Sequence, residues 1–231
     1  MKNKIRQLLR KCGVEIKRYR KQPGALDWLR EMHVESVIDV GANVGQFSKE
    51  IAALLPSASI CAFEPLHDCY LELSAAMSGR KEFEAFEVAL GDMDETATIH
   101  RSSYSPSSSL LPMADLHKEL FPHTRGSSPE TIRVKRMDDV LRGRNLKKEI
   151  LIKVDVQGYE DKVIAGGLET FGVARAVIIE ASFVPLYDGQ LLFDGIYERL
   201  KGLGFSYRGA YQQKRSNADG RVLFEDSVFL R

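Results

Sequence analysis

Four acidic residues sit at or near the ends of apolar runs: Asp39 in SVIDV (36–40), Glu64 in SICAFE (59–64), Asp155 in ILIKVDV (150–156) and Glu180 in AVIIEA (176–181). Each run reads as a β-strand, so the acids are expected along one sheet edge. Glu64 can accept two hydrogen bonds from a ribose diol. Asp39 can take an ammonium or hydroxyl group. Asp155 can meet a cofactor amino group or a substrate hydroxyl, or simply cap the next helix. Glu180 is expected to border the same cleft.

A glycine turn, Gly41-Ala42-Asn43-Val44-Gly45, follows the first strand. Gly41 allows a tight turn and close approach to a ligand, and Gly45 allows close packing of the next helix. A dinucleotide fingerprint needs glycine at i, i+2 and i+5. Here Asn43 and Gln46 hold the second and third places, and no Gly-x-x-x-x-Gly-Lys-Ser/Thr loop is present. With Glu64 downstream, the pattern suits a nucleoside cofactor without a pyrophosphate.

These residues need an alternating frame, and hydrophobic periodicity supplies one. Strands are expected at Ser36–Val40, Ser59–Glu64, Phe83–Leu90, Thr96–Arg101, Thr131–Lys135, Ile150–Val156 and Ala176–Ala181. Helices are expected at Ala25–Met32, Val44–Leu55, Leu66–Met77, Met137–Leu141, Asp161–Phe171 and Phe193–Leu203. Two closing runs, Phe205–Tyr211 and Val222–Leu230, read as a hairpin. The order implies an α/β Rossmann-like fold, a mostly parallel sheet with helices on both faces and a C-terminal antiparallel hairpin. Residues 102–130 break the alternation with a serine-rich loop and a mixed stretch. Long loops of this kind are often functional, so the segment is a candidate substrate lid.

The 231 residues suffice for one core, with 33 Lys and Arg against 32 Asp and Glu. That balance offers no global field for nucleic acid. Nine basic residues against Glu15 crowd into residues 1–21, and Ile5, Leu8, Leu9 and Cys12 share a helical face. A basic amphipathic helical segment (1–30) is expected before the main domain (31–231). It can touch an anionic membrane surface peripherally, or pack on the domain with a solvated basic face. Cys12, Cys61 and Cys69 form no Cys-x-x-Cys pair, which favours a reducing compartment. No membrane-length apolar run or secretory signal is read, so a cytoplasmic location, with possible peripheral membrane contact, is the expectation.

The runs VIDVGANVG (37–45), FEP (63–65) and VALGD (88–92) resemble the FkbM-type methyltransferases. So do SSSL (107–110), MDDV (137–140), and above all IKVDVQGYE (152–160) with VIAGG (163–167). The resemblance covers about residues 33–208. It implies a class I methyltransferase fold, S-adenosylmethionine as cofactor, and O-methylation of a sugar or natural-product hydroxyl. It carries cofactor contacts onto Asp39, Gly41, Ala42, Asn43, Gly45, Glu64, Pro65 and Ala89. Asp155 is expected at the cofactor and in catalysis, with Glu180 as a second catalytic candidate. Methyl transfer is an in-line displacement, so alignment is the main task and an acceptor base the second. No dedicated base is matched. His100 lies towards the expected cleft side, yet a strand surface position suits it better. Asp155 and Glu180 lack a third partner for a metal. A nicotinamide-dependent oxidoreductase would share the fold but needs the missing glycines. A non-catalytic membrane-surface adaptor would use the basic N-terminus and leave the strand-end acids unexplained.

Overall fold

The computed structural model describes residues 24–231, so the basic segment 1–21 and its apolar face lie outside the described residues. A seven-stranded sheet runs in the order β3-β2-β1-β7-β8-β10-β9. Its strands are β1 (Ser36–Val40), β2 (Ser59–Phe63), β3 (Phe83–Phe86), β7 (Ile150–Val154), β8 (Ala176–Ser182), β9 (Ser206–Arg215) and β10 (Val222–Leu230). The first five are parallel, and β10 pairs antiparallel with both β8 and β9.

Strands β1, β7 and β8 are buried along their whole length. Both of their faces are covered, which explains nearly continuous branched side chains instead of alternation. Successive side chains still point to opposite faces. Ile38, Val40, Ile152, Val154, Val177 and Ile179 enter one core with Val163, Ile164 and Phe171. Val37, Leu151 and Ile178 enter the other with Leu29, Ile51 and Leu73.

Helix Gln46–Leu54 leaves β1 through the glycine turn, and helix His67–Ala76 follows β2. The expected single helix 161–171 is two, Glu160–Gly166 and Leu168–Val173, broken at Gly167. A Cβ on Gly167 would meet Met137 Sδ at 3.0 Å, so close packing accompanies the break.

Residues 83–90 also divide. Phe83–Phe86 extends the central sheet as β3, whereas β4 (Ala89–Leu90) joins a separate three-stranded sheet, β4-β6-β5. In that sheet β5 (Glu95–Ser102) and β6 (Ser127–Lys135) pair antiparallel from Glu95↔Val134 to Ser102↔Ser127. The end of the segment expected to break the alternation, 102–130, is therefore strand from Ser127 onward. Between β5 and β6 lie a 3₁₀ turn, Ser105–Ser107, a short helix, Asp115–Leu120, and a second 3₁₀ turn, Pro122–Thr124. Among the described residues no helix is long and apolar enough to cross a membrane.

Candidate active site

The chain order reverses between β1 and β7, since β2 and β3 extend one side of β1 and β8 the other. Ligands of open α/β sheets bind at that crevice, beyond the carboxyl ends of the strands. Asp155 N–H donates to Val40 O at 3.0 Å, joining the two strand ends. Gly41 has φ +79, and a Cβ there would sit 1.9 Å from Asp155 O. Its glycine is thus demanded by the neighbouring main chain as well as by the turn.

A cavity of about 450 Å³ opens over this junction. Asp39, Gly41, Ala42, Asn43, Glu64, Pro65, Ala89 and Asp155 all line it. Two expected residues do not. Gly45, at φ +82, faces helix His67–Ala76, where a Cβ would meet Leu73 Cδ1 at 2.8 Å. It shapes the turn from behind. Glu180 is buried beneath the cavity and reaches Gln157 instead of the open space. His100 also lies outside the lining, on β5 opposite Pro129.

Glu64 is almost wholly buried, and its two oxygens accept from Asn43 N–H at 2.9 Å and Leu66 N–H at 2.8 Å. Burial pushes its carboxyl up to about 7, against the lowering effect of those amides. Each oxygen keeps a lone pair for a diol. Asp39 is pushed up to about 6 by burial, partly offset by Ser48 Oγ, which donates to it at 2.6 Å. The flanking wall of Phe63, Leu66, Val88, Ala89 and Leu90 is apolar and suits a flat base.

Asp155 is held from two sides. Lys153 Nζ donates to Oδ2 at 3.2 Å, and Gln157 Nε2 donates to Oδ1 at 2.8 Å. Lys153 occupies a buried strand and also reaches Asp226 Oδ1 on β10 at 3.0 Å. Burial alone would drive its ammonium to the neutral form, but Asp155 and Asp226 hold it above the ordinary lysine range. Gln157, at φ +57, links Asp155 to Glu180 and accepts from Tyr187 O–H at 2.8 Å. Burial, reinforced by Asp155, holds Glu180 well above the usual carboxylate range.

The segment after β5 covers one side of the cavity. Asn43 Nδ2 donates to Ser105 Oγ at 3.1 Å, and Ser109 Oγ donates to Gln157 O at 2.6 Å. Tyr187 O–H also lies 3.2 Å from Ser107 O. His117, within the same segment, is buried between Phe121 and Tyr187, and among the described residues neither ring nitrogen has a hydrogen-bond partner. Burial pushes its imidazole down to about 4.

The lining holds three carboxylates, Asp39, Glu64 and Asp155, against one ammonium, Lys153, already engaged by acids. That donor set suits a nucleoside bearing positive charge and rejects a pyrophosphate. Among the described residues no three His, Cys, Asp or Glu side chains gather as a metal site. Lys153, Gln157 and Asp226 were absent from the sequence-derived site. A lysine in the middle of ILIKV was the available signal, because a strand buried on both faces requires a counter-ion for it.

A family model described as the methyltransferase FkbM domain matches residues 39–207. The chain is 29% identical over 170 residues to 2-O-methyltransferase NoeI of Sinorhizobium fredii, covering 71% of this chain and 70% of that protein. It is 30% identical over 171 residues to methyltransferase sdnD of Sordaria araneosa, covering 62% of this chain and 65% of that one. The crystal structure of a methyltransferase FkbM from Methylobacillus flagellatus superposes with a TM-score of 0.56 at 11% identity. That match covers 91% of this chain but 48% of the other, so the chain spans less than half of the solved relative.

Proposed function

The chain belongs to the FkbM family of methyltransferases, and from that premise we propose that it methylates a hydroxyl oxygen of a carbohydrate or small natural-product acceptor. S-adenosylmethionine is the methyl donor, and when bound it supplies a methyl group already activated by the sulfonium charge. The observation that carries the reading is the cavity at the β1/β7 crevice, rich in carboxylates and without a phosphate cradle. The name of the NoeI relative, a 2-O-methyltransferase, supports oxygen as the acceptor atom.

In this reading Glu64 accepts the ribose diol and Asn43 N–H keeps its carboxylate aimed. The 41–43 turn and Asp39 face the amino-acid end, and Pro65 and Ala89 border the base. Asp155 takes the acceptor hydroxyl and its proton, because it is the lining carboxylate left once Glu64 and Asp39 face the donor, and Lys153 and Gln157 fix its orientation. Glu180 acts one step removed, through Gln157. Residues 103–126 cover the acceptor side and exclude water.

Calorimetry with S-adenosylhomocysteine tests the cofactor half, and loss of binding in Glu64→Ala is expected. Incubation with S-adenosylmethionine and a panel of sugars and hydroxylated natural products tests the acceptor half. The expected result is a mass gain of one methylene on the acceptor. Wild-type protein that binds no S-adenosylhomocysteine would overturn the site assignment. Methylation at nitrogen or carbon alone would overturn the acceptor reading.

A further inference from the structure

The C-terminal hairpin lies almost wholly beyond residue 207, where the family match ends, yet it reaches the cavity. Gln212 of β9 is a lining residue, and Asp226 of β10 stands opposite Gln212 and Glu180 in the sheet register. Asp226 does not itself line the cavity. Its contact is Lys153 Nζ, at 3.0 Å, and Lys153 does line the cavity beside Asp155.

We infer that Asp226 is a positioning residue for charge. Through Lys153, it makes the cavity discriminate between the cationic donor S-adenosylmethionine and the neutral product S-adenosylhomocysteine. Lys153 is buried, with 5% of its surface exposed, so bulk water screens it poorly. Asp155 with Lys153 alone carries no net charge, so a cation near the pair meets only its dipole. Adding Asp226 leaves the trio with one net negative charge, directed at a cavity that already holds Asp39 and Glu64. The two ligands differ by one methyl group and one positive charge. A substitution at Asp226, outside the lining, leaves the surroundings of that methyl in place, so the change it makes in their affinity ratio reads the local potential. A cavity biased in this way also releases its product more readily than it releases its donor.

The inference rests on the donor occupying this cavity as proposed above. The test is calorimetric measurement of both ligands at pH 8 on wild type, Asp226→Asn and Asp226→Glu. In Asp226→Asn the preference for S-adenosylmethionine should fall about threefold or more, while S-adenosylhomocysteine affinity stays within about twofold. Asp226→Glu should restore the preference. Should Asp226→Asn lose its circular dichroism spectrum, Asp226→Ser must give the same change in ratio. An unchanged ratio in a folded, uncharged variant overturns the inference, and so does an equal weakening of both ligands, which marks a purely structural role. Failure of wild type to bind either ligand would instead count against the proposed site.

Discussion

Glu64 yields the sharpest expectation, because its burial and its task oppose each other. Its carboxyl is pushed up to about 7 in the ligand-free protein, while a ribose diol needs the ionised form as acceptor. If only that form binds, the apparent Kd for S-adenosylhomocysteine scales as one plus the ratio of protonated to ionised Glu64. That factor is about 11 at pH 6 and close to 1 at pH 8, so affinity should rise about tenfold across the interval. Glu64→Gln removes the titration and weakens binding at pH 8. A hydrogen bond to a charged group contributes about 1.5–3 kcal/mol, which corresponds to roughly 10- to 100-fold in Kd. Dividing wild-type by variant affinities at each pH cancels titration of the ligand and of Asp39. The linked stability effect has a definite sign. Glu64 holds its proton more tightly when folded, so the ligand-free protein should lose stability as pH rises from about 4.5 to about 7. Calorimetry at four pH values, with melting curves for both proteins, measures both effects. A pH profile of affinity identical in wild type and Glu64→Gln would refute the reasoning.

Asp155→Asn should keep its circular dichroism spectrum and lose methyl transfer by about 100-fold or more, measured with the acceptor returned by the screen. Gly41→Ala should lower the urea midpoint strongly, by about 2 kcal/mol or more, since a Cβ meets Asp155 O at 1.9 Å where φ is +79. His117 titrates about 4 when folded against 6.5 otherwise, so stability is complete above pH 6.5 and declines as pH falls towards 4. Between pH 7.5 and pH 5 wild type should lose about 2 kcal/mol more than His117→Phe in urea titrations. Co-sedimentation with anionic vesicles should fall with salt and disappear on deletion of residues 1–21, and no binding at low salt would end the membrane-surface idea.

The strands that carry the site were legible because their code is local. β1, β7 and β8 are short branched runs, and the glycine turn and Glu64 follow them at readable spacing. The packing read for Gly45 matches its place against Leu73, but a glycine needed for backbone sign looks the same in sequence as one that also faces a ligand. A strand-end position likewise fixes the sheet edge for Glu180 but not the direction of its side chain. The division at Glu87–Val88 was hidden because both halves of 83–90 have strand-like residues. Only the pairing partner differs, β2 for one half and β6 for the other. The Lys153–Asp226 contact joins residues 73 positions apart, which no window of periodicity can see.

The hairpin formed by β5 and β6 has a further consequence, for how such a chain can change its repertoire. Ser102 pairs with Ser127, and Ser103 N–H donates to Gly126 O at 2.7 Å, so the long connection leaves and returns at one clamped point. An insert held by a closed base behaves as a cassette. Its length can vary while its two ends stay paired at Ser102 and Ser127. Ser105, Ser107 and Ser109 touch Asn43, Tyr187 and Gln157, and Pro112, Met113 and Ala114 pair with the backbone of residues 186–188, so two strips of contact tie it to the rest of the site. Exchanging 103–126 between relatives, with those three serines and the pairing to 186–188 kept, would test whether the segment carries the acceptor choice proposed for it.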